Sequence, residues 1–282
     1  MKLAHFFLTA LAVLGCSSVM AQSTDVYFPT EFQPQVPMSV DDNVTLINCE
    51  TGCEVEEAGC GGWIGGFDIP VFDVFANHSV GNAGGAFGWF QGFTSTPGGR
   101  YWFGYQNASG VGLRGRFFHY NADGDRPADR FNVNFFDVEA AADLTLNEWQ
   151  VLLLGGMRVG EVNFANWQGG PHDFDGAGLT VAAELRRLVR GNLGLVAGLR
   201  QSFLIGHTQF AAIESRGTAV PITELRFGGE WYRPLGNGAT LVATAAYEHQ
   251  FYSGLSVRST IIDPEDVDIS LSGPVFSLAL LR

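Results

Sequence analysis

Leu179-Thr180-Val181-Ala182-Ala183-Glu184-Leu185-Arg186 is the stretch on which the reading of this chain turns. Its odd positions are all apolar, while Thr180, Glu184 and Arg186 share the other side. Side chains alternate across a β-strand with a period of two, so such a run sets one face on apolar surroundings and the other on polar ones. The pattern recurs along the chain. Val138, Ala140, Ala142, Leu144 and Leu146 oppose Asp137, Glu139, Asp143 and Thr145. Leu225, Phe227 and Trp231 oppose Glu224, Arg226 and Glu230, and Leu241, Ala243, Ala245 and Tyr247 oppose Thr244, Glu248 and Gln250.

Working outward, strands are expected near 62–76, 84–93, 99–107, 109–120, 131–146, 148–164, 175–189, 192–208, 220–235, 238–254 and 270–282. Turn chemistry separates them: Pro97-Gly98-Gly99, Asn107-Ala108-Ser109-Gly110, Asn121 to Asp125, Arg190-Gly191-Asn192 and Leu235-Gly236-Asn237-Gly238. Many of these strands reach the roughly 9–11 tilted residues that cross a bilayer. The fold class expected is all-β, a closed antiparallel transmembrane β-barrel of about 10 strands, within a range of 8–12. Eleven segments cannot all be separate membrane strands, because bacterial single-chain barrels use even numbers. The segment 84–93 is therefore either loop or the continuation of a hairpin.

Composition agrees. Among 282 residues there are 37 Gly and 23 Phe, and only 16% are charged, which suits neither a disordered chain nor an ordinary soluble enzyme. After the N-terminal leader no apolar run approaches the 18 residues of a membrane helix. Glycines inside strands, such as Gly155, Gly156, Gly228 and Gly229, let a sheet coil and leave room for large neighbours.

Residues 1–21 read as a signal peptide: Lys2, an apolar run from Leu3 to Cys16, and small residues ending at Ala21. A competing reading places a lipoprotein cleavage before Cys16. Residues 22–60 form an acidic, cysteine-containing, extended lead-in with eight acids, no basic residue, and Pro29, Pro34 and Pro37. Cys49, Cys53 and Cys60 would meet an oxidising compartment, so one disulfide is expected, Cys53–Cys60 or Cys49–Cys60, with one thiol left over. Residues 61–282 are the barrel domain. The net charge of −13, with Lys2 as the only lysine, disfavours nucleic acid as a partner. Outer membrane lipid is the expected partner, with small solutes or ions as further candidates.

The polar face carries the functional expectation. Arg114, Arg116, Glu139, Arg158, Glu184, Arg200, Arg226, Glu230 and Glu248 are expected to line the lumen. An exposed face would accept lysine, whereas the planar arginine fork suits carboxylates on neighbouring strands in a confined space. Trp63, Trp89, Tyr101, Trp102, Tyr120, Trp149, Trp167, Trp231, Tyr232 and Phe251 lie near strand ends, where interfacial girdles are expected.

The hairpin Pro97-Gly98-Gly99-Arg100-Tyr101-Trp102-Phe103-Gly104-Tyr105-Gln106, followed by Gly110-Val111-Gly112-Leu113-Arg114-Gly115-Arg116-Phe117-Phe118-His119-Tyr120, resembles the core signature of the BBP7-like and Legionella-type major outer membrane proteins of planctomycetes. Asp137-Val138-Glu139-Ala140 and Phe174-Asp175-Gly176-Ala177-Gly178-Leu179-Thr180 match in order, so the resemblance covers roughly 84–282. It implies an outer membrane barrel with a pore or structural role and no catalytic residues.

No catalytic constellation, metal site or cofactor site is expected: His78, His119, His172, His207 and His249 have no metal spacing, and there is no nucleophile elbow or phosphate loop. Two functions of different class follow. The first is an outer membrane barrel, either a narrow pore or a structural protein of the cell envelope. The alternative is a soluble or lipid-anchored surface β domain acting as a binding module.

Overall fold

The computed structural model describes residues 61–76, 95–124, 130–166, 170–210, 213–235, 238–258 and 264–281. The leader, the lead-in with Cys49, Cys53 and Cys60, and the segment 84–93 lie outside these residues. In chain order the strands are β1 (Gly62–Ala76), β2 (Thr96–Pro97), β3 (Gly99–Gln106), β4 (Val111–Asp123), β5 (Arg130–Leu146) and β6 (Trp149–Asn166). There follow β7 (Gly170–Arg190), β8 (Leu193–Phe210), β9 (Ile213–Pro234), β10 (Thr240–Arg258) and β11 (Pro264–Leu281).

Each strand pairs antiparallel with its neighbours in the sheet, and β11 returns to β1, with Gly65 opposite Leu280 and Ala76 opposite Ile269. The sheet is thus closed on itself, which removes the exposed edge that an open sheet must protect. β2 and β3 are one barrel strand. Thr96 and Pro97 sit opposite Phe72 and Val71, in the same register that sets Arg100 opposite Asp68. Between them Gly98 donates its N–H to the Pro70 carbonyl at 2.7 Å. Proline offers no N–H to the ladder, and the strand is interrupted there only in its hydrogen bonding. The barrel is an all-β, closed antiparallel ring of ten strands.

Consecutive strands at one end join through short turns. Asn147 takes a left-handed conformation (φ 56°) between β5 and β6, and Gly191 (φ 55°) does so between β7 and β8. Asn and Gly are the residues that adopt this region most cheaply.

At the other end several strands run further than sequence periodicity indicates. β7 begins at Gly170, β9 at Ile213 and β11 at Pro264. The acidic stretch 263–268, which reads as a solvated segment, supplies Pro264–Asp268 to β11. These segments carry little apolar–polar alternation, yet the neighbouring strand still offers N–H and C=O groups to pair with. The ladder therefore continues beyond the alternating region.

Candidate functional site

Along β5 the alternation changes sense. Between Asp137 and Ala141 the charged residues Asp137 and Glu139 are buried, and Val138 and Ala140 face outward. Between Phe131 and Phe135 the relation reverses: Phe131, Val133 and Phe135 are buried, and Asn132 and Asn134 lie on the outside. β4 does the same, with Arg114 and Arg116 inward and then Phe118, Tyr120 and Ala122 inward. His119, Asn134, Glu161, Asp175 and His207 stand opposite one another in register across β4–β8 and mark where the outer face turns polar. Within this row Asn134 donates to Glu161 at 2.7 Å, and His119 and Asn134 meet at 2.5 Å.

Below that row the outer wall is apolar: Phe136 to Leu146 on β5, Trp149 to Val159 on β6 and Ala177 to Val189 on β7 present Val138, Leu144, Leu153, Met157, Leu179 and Val181 to the exterior. Trp63, Tyr105, Trp149 and Trp231 stand on this wall near the short turns, and Trp63 stacks on Phe103 at 5.0 Å. They are placed as an interfacial girdle would be. Three girdle expectations are corrected. Tyr120 is fully buried in the interior, Trp102 lines an interior cavity, and the Tyr232 hydroxyl donates to Glu230. Each sits on the inward parity of its strand, which proximity to a strand end does not reveal. Trp89 and Trp167 lie outside the described residues.

The interior holds two stacked layers. Nearer the short turns, seven arginines meet seven carboxylates: Arg100, Arg114, Arg116, Arg158, Arg186, Arg200 and Arg226 with Asp68, Asp137, Glu139, Glu184, Glu224, Glu230 and Glu248. Strand register explains several contacts directly. Arg114 stands opposite Glu139, and its Nε donates at 3.1 Å. Arg158 stands opposite Asp137 and grips both carboxylate oxygens, at 2.7 and 3.0 Å.

Other contacts cross the lumen. Arg116 on β4 donates to Glu224 on β9 at 2.8 Å, and Arg158 on β6 reaches the same carboxylate at 2.7 Å. Arg200 on β8 binds Glu139 on β5, and Arg100 on β3 binds Glu248 on β10. Arg226 on β9 binds Asp68 on β1 at 3.1 Å. Charges drawn out of water persist only with partners and hydrogen bonds, and the guanidinium fork supplies several at once.

All nine residues expected at the lumen therefore face inward and are paired. Arg158 and Glu139 are almost wholly buried, while the Arg226 and Glu184 side chains keep 23% and 25% exposure. The structure adds Asp68, Arg100, Asp137, Arg186 and Glu224. The last three lie on polar faces that alternation identifies; Arg100 is legible from its place opposite Tyr101, Phe103 and Tyr105. Asp68 sits in a mostly apolar strand whose other acid, Asp73, falls on the opposite parity, and it has no such signal.

Toward the far end, the second layer is an apolar cluster that includes Phe72, Tyr120, Phe131, Phe135, Phe164, Phe174 and Tyr252. Tyr252 on β10 packs against Phe131 and Phe135 on β5, with ring centroids 6.4 and 6.2 Å apart. β5 and β10 lie on opposite sides of the ring, so these rings meet across its diameter. Arg158 lies over Phe135 and Arg100 over Phe118, each at 5.0 Å, which joins the layers by cation–π contact. Among the described residues, both layers bridge the lumen.

The other chemistry is sparse. His249 and Ser272 meet at 2.5 Å on the outer wall, and the register partners of His249 are Leu225 and Ser272; among the described residues no carboxylate is hydrogen-bonded to the imidazole. Among the described residues no group of His, Cys, Asp and Glu is arranged to hold a metal ion. His172, Asp173 and Asp175 fall within β7.

No protein-family model and no curated protein matches the chain. Among solved structures it is similar to the translocator domain of the autotransporter NalP from Neisseria meningitidis, at 13% identity and a TM-score of 0.40, over 80% of this chain and 88% of that one. It is similar also to the β domain of the Bordetella autotransporter BrkA, at 13% identity and 0.38, over 79% and 98%. A third is the monoaromatic hydrocarbon channel CymD, at 8% identity and 0.34, over 80% and 88%. The fold itself rests on the closed ring of strands.

Proposed function

We propose that this chain is an outer membrane β-barrel of a bacterial cell envelope, and that it is a sealed structural barrel rather than a conducting pore. The observation that carries the reading is the inversion of the wall: apolar residues outside and charged residues inside along the belt, then the reverse beyond the row from His119 to His207. A soluble barrel has its apolar face inside throughout; a membrane barrel has it outside over the bilayer core. The belt is about as long as the 9–11 tilted residues that a bilayer requires. The resemblance of residues 84–282 to the BBP7-like and Legionella-type barrels is in keeping with this reading and forms part of the proposal.

Sealing follows from the two layers. An ion entering the lumen meets carboxylates and guanidiniums already bound to one another, and then an aromatic cluster that gives it no hydration. The test is fractionation followed by reconstitution. The chain should enter the outer membrane fraction, need detergent for release, and migrate differently on gels before and after boiling. In planar bilayers it should leave the conductance at its baseline. Recovery as a detergent-free periplasmic protein would remove the membrane reading, and stable single-channel steps would remove the sealed one.

A further inference from the structure

We propose that the groove on the outer wall above the polar row is a binding site for the neutral sugar headgroup of a membrane glycolipid. Asn121, Asn132, Asn163 and Asp173 line it together with Asp123 and Arg130, and its volume is about 470 Å³. That lies within the roughly 300–1,000 Å³ of small-molecule sites. Register sets the first four in one row: Asn121 opposite Asn132, Asn132 opposite Asn163, and Asn163 opposite Asp173. Each stands two residues beyond its counterpart among His119, Asn134, Glu161 and Asp175, on the same outward parity.

Depth selects a headgroup. Two residues along a strand advance about 7 Å, and a tilt near 40° leaves about 5 Å of that as height. The headgroup zone on each side of the hydrocarbon core is roughly 5–7 Å thick. With the polar row at the edge of the hydrocarbon, the amide row falls within that zone. Below the groove, Val138 on β5, Met157 on β6 and Leu179 on β7 are exposed and offer acyl chains an apolar wall. The lipid source rests on the outer membrane reading given above.

Chemistry selects a sugar. An amide side chain both donates and accepts, as a hydroxyl does, so three adjacent asparagines suit a ligand that carries hydroxyls. Asn132 accepts from Asn134 at 2.7 Å through its oxygen, which leaves its own NH₂ to donate. Among the described residues no hydrogen bond engages the Asn121 or Asn163 side chain. Charge opposes an anionic headgroup. Arg130, the one cation lining the groove, is matched by Asp123 at 3.7 Å. Asp173 remains, with Glu161 and Asp175 in the row beneath it. A phosphate would meet those carboxylates with its own negative charge, whereas hydroxyls donate to them.

The probe is digalactosyl diacylglycerol, offered to the full chain in detergent beside an equal amount of phosphatidylglycerol with the same acyl chains, and read by native mass spectrometry. Glycolipid retained at least tenfold above phosphatidylglycerol is expected. Asn132→Val with Asn163→Val removes two amides and keeps strand-forming residues. This variant should keep heat-modifiable gel mobility and lose the preference, while Thr223→Val, on the outward parity of β9, should retain it. Digalactosyl glycerol, the same headgroup without chains, should bind at least tenfold more weakly than the lipid. The proposal is overturned by equal retention of the two lipids, by an unchanged preference in the folded double variant, by its loss in Thr223→Val, or by equal binding of the chainless headgroup. Should the double variant not fold, an unchanged preference in Asn121→Val is equally decisive. A chain that needs detergent yet shows no preference fails as a glycolipid site alone; one recovered from the periplasm without detergent fails the membrane reading as well.

Discussion

Arg116 on β4 and Glu224 on β9 stand on opposite sides of a ten-strand ring, and their guanidinium and carboxylate groups meet at 2.8 Å. Glu224 also accepts from Arg158 at 2.7 Å and lies 3.9 Å from Arg200. Through Arg116 and Arg158 one carboxylate thus ties β9 to β4 and β6, strands with which β9 shares no backbone hydrogen bond.

Glu224→Gln should therefore be costly although it preserves shape. It leaves buried guanidiniums short of an anion, and breaking a buried pair from one side typically costs about 3–5 kcal/mol. Urea unfolding of the detergent-solubilised chain measures this. A loss below about 1 kcal/mol, the scale of exposed pairs, would mean that the cross-lumen contact is not held.

Opening the barrel should need both layers to be cut. Phe135→Ala with Tyr252→Ala removes rings that touch across the lumen but leaves Arg116–Glu224 in place. Planar-bilayer recording should find that double variant silent, and find conductance only when Arg116→Ser and Glu224→Ser are added. Steps in the aromatic double variant would assign the seal to the aromatic layer alone.

The outer wall should show a depth profile. Val181 is 59% exposed within the apolar belt, whereas Asp175 lies in the polar row above it. Val181→Arg should lower folded stability by about 2–4 kcal/mol and Asp175→Arg by about 0–1, as depth within a bilayer dictates. Equal effects in lipid vesicles would show that the belt does not face lipid.

Two glycines make a contrasting pair. A Cβ on Gly178 would lie 1.7 Å from the Phe203 carbonyl oxygen, whereas one on Gly155 would meet nothing within 4 Å. Overpacking typically costs 1–3 kcal/mol, so Gly178→Ala should lose about that much and Gly155→Ala about 0.5 or less. The ratio of heat-modified to unmodified band across a temperature series reports both.

Much of this architecture is legible in the sequence where one face of a strand meets lipid. Leu179 to Arg186 alternates because Val181 and Leu185 are outside while Thr180 and Glu184 are inside. The ring of ten follows from strand lengths and turns. The aromatic layer is harder to read, because Phe131, Val133 and Phe135 alternate with Asn132 and Asn134 in the opposite sense to the residues that follow. The signal is a phase change at Phe135-Phe136, which a search for one continuous pattern passes over. Strand extensions such as Pro264–Asp268 carry no apolar–polar alternation, so a search for periodicity passes over them.

The paired charges also divide by chain position, and that division bears on the order in which the barrel is assembled. Arg114, Arg116, Arg158, Arg186, Arg200, Asp137, Glu139, Glu184, Glu224 and Glu230 lie on the contiguous strands β4–β9. A curled, still open sheet can neutralise all of them. Asp68, Arg100, Arg226 and Glu248 form a separate set, in which β1 and β3 reach β9 and β10 over the β1–β11 seam. Before the seam shuts, Arg226 has its register partner Glu248 beside it, and Arg100 has Asp68. In the closed ring Arg100 keeps Asp68 at 3.1 Å and also binds Glu248, and Arg226 reaches Asp68. The last seam is thus fastened by ion pairs added between the first strands and the last, a latch that exists only in the finished ring.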